Sequence, residues 1–236
     1  MKNVLVLLLL TAFMTTGLNA ADSLPPLKKS IEDPATGLNL QPGFAAEMIY
    51  KVDQKKYGSW ITLVFDAQGR LIVSDQGGAG VFRMTLPKIG EKFSEENITK
   101  LDLKNSVQGF LFAFDHLYMI RFGTLSRAPV SADGEIGPEE VISELNGGGE
   151  HGPHSAIVSE DGKSIYVIGG NMTQTPEHEF SRIQQNWKND VLLGHYAYGH
   201  NAGGKAPAGF VMKFSPDGKR RELMNMGYRN PVDFCL

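Results

Sequence analysis

At 236 residues, with 42% hydrophobic and 21% charged side chains, the chain has the composition of a folded globular protein, which excludes a fibre or a disordered chain. Its 23 Lys+Arg against 26 Asp+Glu give a formal charge of −3, so no overall basic field exists to hold nucleic acid or an anionic membrane surface. The one cysteine, Cys235, excludes an internal disulfide, a Cys-rich zinc or iron–sulfur centre and a CxxCH haem attachment.

The first segment reads as a targeting signal. Lys2 supplies a positive start, residues 4–14 form an apolar stretch too short to span a bilayer, and Gly17-Leu18-Asn19-Ala20 ends on a small residue. Cleavage after Ala20 is expected, leaving 216 of the 236 residues and, with Lys2 lost, a charge of −4 instead of −3. The mature chain is then periplasmic or secreted and does not span a membrane. No cysteine follows the cleavage point, which argues against a lipoprotein. Residues 21–43 carry Pro25, Pro26, Pro34 and Pro42 and are expected to be an extended lead-in.

From residue 44 to 236 the pattern is of short strands separated by turns, as 27 Gly and 12 Pro also suggest. Strands are predicted at 60–65, 71–73 and 81–84, with a turn at Asp66-Ala67-Gln68-Gly69. A second set covers 110–114 and 117–120 around Asp115-His116, then 125–127 and 140–142 around Asp133-Gly134. A third covers 155–158 and 164–168 around Asp161-Gly162, completed by 209–214 and 221–224 around Asp217-Gly218. From Asp66 to Asp115 is 49 positions and from Asp115 to Asp161 is 46, the period of one four-stranded propeller blade of about 40–50 residues. The turns at Asp133 and Asp217 lie 84 apart because residues of about 170–206 interrupt the third blade. In that insertion Phe180, Ile183 and Trp187 fall at i, i+3 and i+7 and predict a short amphipathic helix. Three blades are complete by Met226, a fourth is expected to begin at 229–234, and an exposed edge is expected at 229–236. The fold class expected is all-β, a partial β-propeller; an ordinary sandwich or meander is the alternative.

In a propeller the residues just before each innermost strand line one mouth of the central channel. Here these are Gly58-Ser59, Val107-Gln108-Gly109, Glu150-His151-Gly152-Pro153-His154 and Gly227-Tyr228-Arg229-Asn230-Pro231. A carboxylate, two imidazoles, an amide and a guanidinium would meet there, a set suited to taking a hydroxyl proton while hydride passes to a cofactor. Each histidine is equally readable as a hydrogen-bonded turn residue. Several other features carry less. His195 and His200 are five apart and of ligand type, but no third metal ligand is evident. Asn97-Ile98-Thr99 and Asn171-Met172-Thr173 fit the glycosylation pattern. Gly77-Gly78 and Gly147-Gly148-Gly149 lack the helix and lysine of a phosphate loop. Asp75 either faces the channel or caps its turn.

The run over residues 151–169 (HGPHSAIVSEDGKSIYVIG), with Gly227-Tyr228-Arg229-Asn230-Pro231 downstream, resembles the soluble quinoprotein glucose/sorbosone dehydrogenases. The resemblance implies a six-bladed propeller using pyrroloquinoline quinone (PQQ), with calcium in the full-length protein. It implies His151 as the catalytic base, ten residues before Asp161, and Arg229 and Asn230 as quinone contacts. Glu150 stands where an acidic substrate-binding residue is usual, and Gln108 lies about two positions from a substrate-binding glutamine; with His154 they are the expected substrate contacts. Residues 149–154 (GEHGPH), Gly199-His200-Asn201, residues 206–209 and Met226 to Pro231 more closely resemble the membrane-bound-dehydrogenase propellers of planctomycete-type bacteria. Those are often joined to cytochrome c-like domains, which implies a cytochrome c-type electron acceptor. The function expected is oxidation of a sugar or polyol hydroxyl, with little activity from this portion alone. A non-catalytic propeller binding carbohydrate or a protein partner is the alternative.

Overall fold

Strict alternation in WITLVF makes residues 60–65 a strand whose two faces meet different surroundings, and the computed structural model places β3 at Trp60–Phe65. The structure describes residues 31–32, 37–183 and 209–236. The described residues divide between two units, one up to Met48 and one from Ile49. In the first, within the expected lead-in, β1 (Ile31–Glu32) pairs antiparallel with β2 (Asn39–Leu40).

The second unit begins with one helical turn, α1 (Gln54–Tyr57), capped by the Asp53 carboxylate accepting from Lys55 N–H at 3.0 Å. Three sheets follow, antiparallel throughout except for one parallel edge pairing in the third. Blade one is β3, β4 (Leu71–Asp75), β5 (Val81–Met84) and β6 (Ile98–Lys100). Blade two is β7 (Val107–Ala113), β8 (His116–Arg121), β9 (Thr124–Pro129) and β10 (Glu140–Glu144). Blade three is β11 (Pro153–Val158), β12 (Ile165–Gly169), β14 (Phe210–Phe214) and β15 (Arg221–Met226), with β13 (Phe180–Ser181) added at its outer edge. The innermost strands lie side by side, β3 against β7 and β7 against β11. The chain is an all-β propeller fold of which three blades are described.

Repeated turns fix the strand spacing. Gly162 N–H donates to Ser159 O and Gly218 N–H to Ser215 O, each at 2.8 Å, with φ of +65° and +73° that a side chain would strain. The Ser159 and Ser215 hydroxyls each donate at 2.6 Å to the aspartate two residues on, and Ser131 does the same to Asp133. These hydroxyl donors hold the Asp133, Asp161 and Asp217 carboxyls below the usual carboxylate range. A carboxyl whose folded value is depressed stabilises the fold above its unfolded value of about 3.9, and that contribution is lost as pH falls through the lower folded value. The urea midpoint is therefore expected to drop between about pH 5 and about pH 2, and to drop less in Ser159→Ala/Ser215→Ala. Equal slopes in the two proteins would contradict this.

Period-two burial on both faces packs the blades on each other. In β8, Leu117 and Met119 join Ile72 and Val81 of blade one, whereas Tyr118 and Ile120 join Ile165, Val167 and Phe210 of blade three. All of these are fully buried, each contributing about 1.5–3 kcal/mol. On the far face of blade one, Tyr57 meets Phe82 edge-on at 5.3 Å, with Tyr50 and Trp60 alongside.

Two expectations are corrected. Phe180 does not start a helix: Phe180 and Ser181 form β13, paired parallel with Glu222 and Leu223, while Trp187 lies outside the described residues. Backbone pairing with a strand some forty residues away outcompetes a weak local helical pattern. Residues 229–234 form no strand of their own; the Arg229 carbonyl accepts from Asn171 N–H at 2.8 Å, and side chains of the segment meet β11 through His154–Asn230 and Ser155–Asp233.

Candidate active site

Each innermost strand begins with a register slip: between Trp60 and Thr62 in β3, Val107 and Gly109 in β7, and Pro153 and Ala156 in β11. A bulge turns a side chain out of the ladder. Gln108 and His154 sit in the second and third slips, so the same local device presents both at the same end of neighbouring blades. Gly109 permits their approach, because a Cβ there would stand 2.0 Å from the His154 carbonyl oxygen. Gly109→Ala is expected to cost about 1–3 kcal/mol in urea unfolding by forcing β7 away from β11; an unchanged midpoint would contradict this contact.

The imidazoles are held differently. His154 is half-buried, and its Nε2 lies 2.9 Å from the Glu150 carbonyl and 3.0 Å from Asn230 Oδ1. Both are acceptors, so Nε2 carries the proton and Nδ1 is the basic nitrogen. His151 is 1% exposed, and its Nδ1 lies 2.8 Å from Asn171 Oδ1. That pairing puts the proton on Nδ1 and makes Nε2 the basic nitrogen. The turn carrying His151 is locked by its neighbours: Gly152 N–H donates to Gly149 O, Gly170 N–H to Gly152 O, and Met172 N–H to the His151 carbonyl.

Of the six predicted residues, the structure pairs His154 with Asn230 and sets Arg229 beside them in sequence, its side chain exposed and without a partner among the described residues. Glu150 is exposed at the same turn. Gln108 is not joined to the histidines; its amide donates to Ser106 O at 3.2 Å. Asp75 is a turn residue. Its buried carboxylate accepts from Ser59 N at 2.7 Å, Gly77 N at 2.9 Å and Ala79 N at 2.8 Å. Burial alone would raise its pKa, but these backbone donors outweigh it and hold the group ionised below its ordinary value. Asn171, unassigned from sequence except as a glycosylation candidate, is the residue that fixes the His151 tautomer. The only sequence signal is its place two residues after the apolar strand that ends at Gly169.

At the same end, a cavity of about 480 Å³ opens beside Gly78, Lys100, Lys104, Asn105 and Phe122, and none of the six candidates lines it. Among the described residues no three His, Cys, Asp or Glu side chains cluster as metal ligands. His195 and His200 lie outside the described residues.

No family model and no curated protein sequence matches the chain. Solved structures show similarity. A Trichoderma reesei carbohydrate-active enzyme of family AA12 is 14% identical with a TM-score of 0.44, over 67% of this chain and 36% of that one. The holo PQQ domain of pyranose dehydrogenase from Coprinopsis cinerea is 12% identical with a TM-score of 0.44, over 70% and 36%. The PQQ-bound aldose sugar dehydrogenase from Streptomyces coelicolor is 16% identical with a TM-score of 0.43, over 73% and 51%. The chain thus spans between about a third and a half of the length of these structures.

Proposed function

We propose that the chain is part of a periplasmic or secreted quinoprotein-like dehydrogenase propeller that oxidises a sugar or alcohol hydroxyl. The observation that carries this reading is the His154–Asn230 hydrogen bond, 3.0 Å from Nε2 to Oδ1, which joins the turn carrying Glu150 and His151 to the Arg229-Asn230 segment. His151 is the base: with Nδ1–H held by Asn171, Nε2 takes the hydroxyl proton as the carbon–hydrogen bond on the same carbon breaks. Glu150, His154 and Gln108 contact the substrate hydroxyls. The donors at the rim fit PQQ, an anionic, carbonyl-rich group: the Arg229 guanidinium is exposed, and Asn230, with Oδ1 turned to His154, keeps its Nδ2 donor. Arg229 and Asn230 would hold its carboxylate and carbonyl oxygens. When bound, the quinone supplies a two-electron hydride acceptor. Calcium and a cytochrome c-type acceptor belong to the same reading, as does release from the membrane after signal cleavage; no helix among the described residues is long and apolar enough to cross one.

The near-complete burial of His151 favours a second reading, a propeller that binds carbohydrate without chemistry. Assays of the whole propeller, of which this chain is read as a part, with PQQ, calcium and an artificial electron acceptor over a panel of sugars and polyols separate the two. Turnover is expected for the dehydrogenase, whereas sugar binding with no turnover over the panel would overturn it.

A further inference from the structure

The cavity of about 480 Å³ lies at the junction of blades one and two, and no step of the oxidation described above uses it. Its wall comes from three places in the chain: the β4–β5 turn, the link from β6 into β7, and the end of β8. Each is pinned. Ser106 sits at a φ of +58°, a conformation that strains a residue with a side chain, and its hydroxyl holds it there by donating to Gly77 O at 2.6 Å. Arg121 donates to the Asn105 and Lys104 carbonyls at 3.0 and 2.6 Å, which fixes the backbone that carries both residues to the wall. Gly80, at a φ of +129°, lets the Lys100 side chain lie across its turn, because a Cβ there would stand 2.7 Å from the Lys100 Cε.

The charges at this wall do not cancel. Glu139 neutralises the Arg121 guanidinium at 2.8 Å, and both side chains are 7% exposed. The Lys100 and Lys104 ammonium groups make no hydrogen bond or ion pair among the described residues, and no Asp or Glu among them lines the cavity. Two cations thus stand unneutralised at one cavity of a chain whose formal charge is −3. The Asn105 side-chain amide is likewise unpartnered among the described residues, and Leu103 and Phe122 make part of the wall apolar. The volume falls within the roughly 300–1,000 Å³ of small-molecule sites and is far more than an inorganic anion fills. The cavity also adjoins the rim: a Cβ at Gly152 would stand 2.8 Å from the Phe122 ring, and the Ser106 carbonyl accepts from the Gln108 amide at 3.2 Å.

We propose that this cavity binds a carboxylated sugar, either a free sugar acid or a uronate unit of a saccharide. Lys100 and Lys104 attract the carboxylate, and the Asn105 amide, both donor and acceptor, takes hydroxyl groups. The ammonium pair calls for an anion, the volume for an organic one, and the mixed wall of amide and apolar side chains for a ring with hydroxyls on it. Binding here needs neither PQQ nor turnover, so the inference stands apart from the dehydrogenase reading.

Calorimetric titration of the whole propeller, of which this chain is read as a part, tests it without PQQ. The probes are galacturonate, digalacturonate and the methyl ester of digalacturonate, which keeps the sugar and loses the charge. Saturable binding of both acids is expected, weakened by added salt, with the ester binding about tenfold or more weaker. Lys100→Gln/Lys104→Gln, at two exposed positions, is expected to stay folded by circular dichroism and to weaken the acids about tenfold without changing the ester; Lys104→Gln alone replaces it should the pair misfold. No saturable binding of either acid, equal affinity for acid and ester, or undiminished acid binding in the lysine variants would overturn the proposal. Displacement of digalacturonate by inorganic sulfate at equal concentration would also overturn it, by showing a site for a bare anion only. So would loss of acid binding in Arg229→Ala with none in the lysine variants, which would place the carboxylate at the rim.

Discussion

Arg121→Ala is expected to lower the unfolding free energy by about 3–5 kcal/mol, because it strands a buried carboxylate. Arg121 lies at the end of β8, is 6% exposed and uses its whole fork. Nε donates to Asn105 O at 3.0 Å, Nη1 to Ser126 Oγ at 2.7 Å and Glu139 Oε1 at 2.8 Å, and Nη2 to Lys104 O at 2.6 Å and Glu139 Oε2 at 3.1 Å. It thereby ties the segment leading from blade one into β7 to the outer half of blade two. Alanine leaves the Glu139 side chain, 7% exposed, without its cationic partner, and leaves the Lys104 and Asn105 carbonyls without this donor. Removing both charges is a smaller change, so Arg121→Met/Glu139→Leu is expected to recover most of the loss in urea unfolding. A single-variant loss below about 1 kcal/mol would show the pair to be exposed and screened in solution.

The second large effect concerns chemistry. In a preparation that oxidises a sugar with PQQ, His151→Ala is expected to lower kcat by about 10²–10⁴-fold, the usual contribution of a positioned general base. The loss falls on kcat more than on KM, since the imidazole acts on the proton as it departs. Asn171→Ala leaves the base present but its tautomer unfixed, so a smaller loss with an altered pH profile is expected. A His151→Ala enzyme with undiminished kcat would move the base elsewhere, and His154, whose basic Nδ1 is at the same rim, would be the next residue to test.

Much of the architecture was legible because alternation and turn chemistry agreed. Strands at 60–65 and 81–84 were read with their observed bounds, since each is bounded by Gly or Asp turns and rich in β-branched or aromatic residues. The β6 strand escaped because Ile98-Thr99-Lys100 is three residues long and half polar, held only by its ladder with Phe82, Arg83 and Met84. The β13 strand carries no local signal because its partner, Glu222-Leu223, is remote in sequence, and no local period reports a parallel pairing across an insertion.

The site was legible in composition and less so in geometry. Gly-Glu-His-Gly-Pro-His and Gly-Tyr-Arg-Asn-Pro announced polar, conformationally restricted loops, and the His154–Asn230 contact joins the two. The bulges that turn Gln108 and His154 out of their ladders left no compositional mark, because a one-residue slip is decided by packing against the neighbouring strand. Asn171 was invisible as a positioning residue because its role depends on chain reversal after β12, which brings Met172 N–H onto the His151 carbonyl.

The central claim is that Arg229 and Asn230 hold a quinone beside the histidines, and an absorbance titration of the chain with PQQ tests it most directly. Saturable binding is predicted, weakened about tenfold or more by Arg229→Ala, since a charge-assisted hydrogen bond contributes about 1.5–3 kcal/mol. No saturable spectral change, or equal affinity in the wild-type and Arg229→Ala chains, would contradict it.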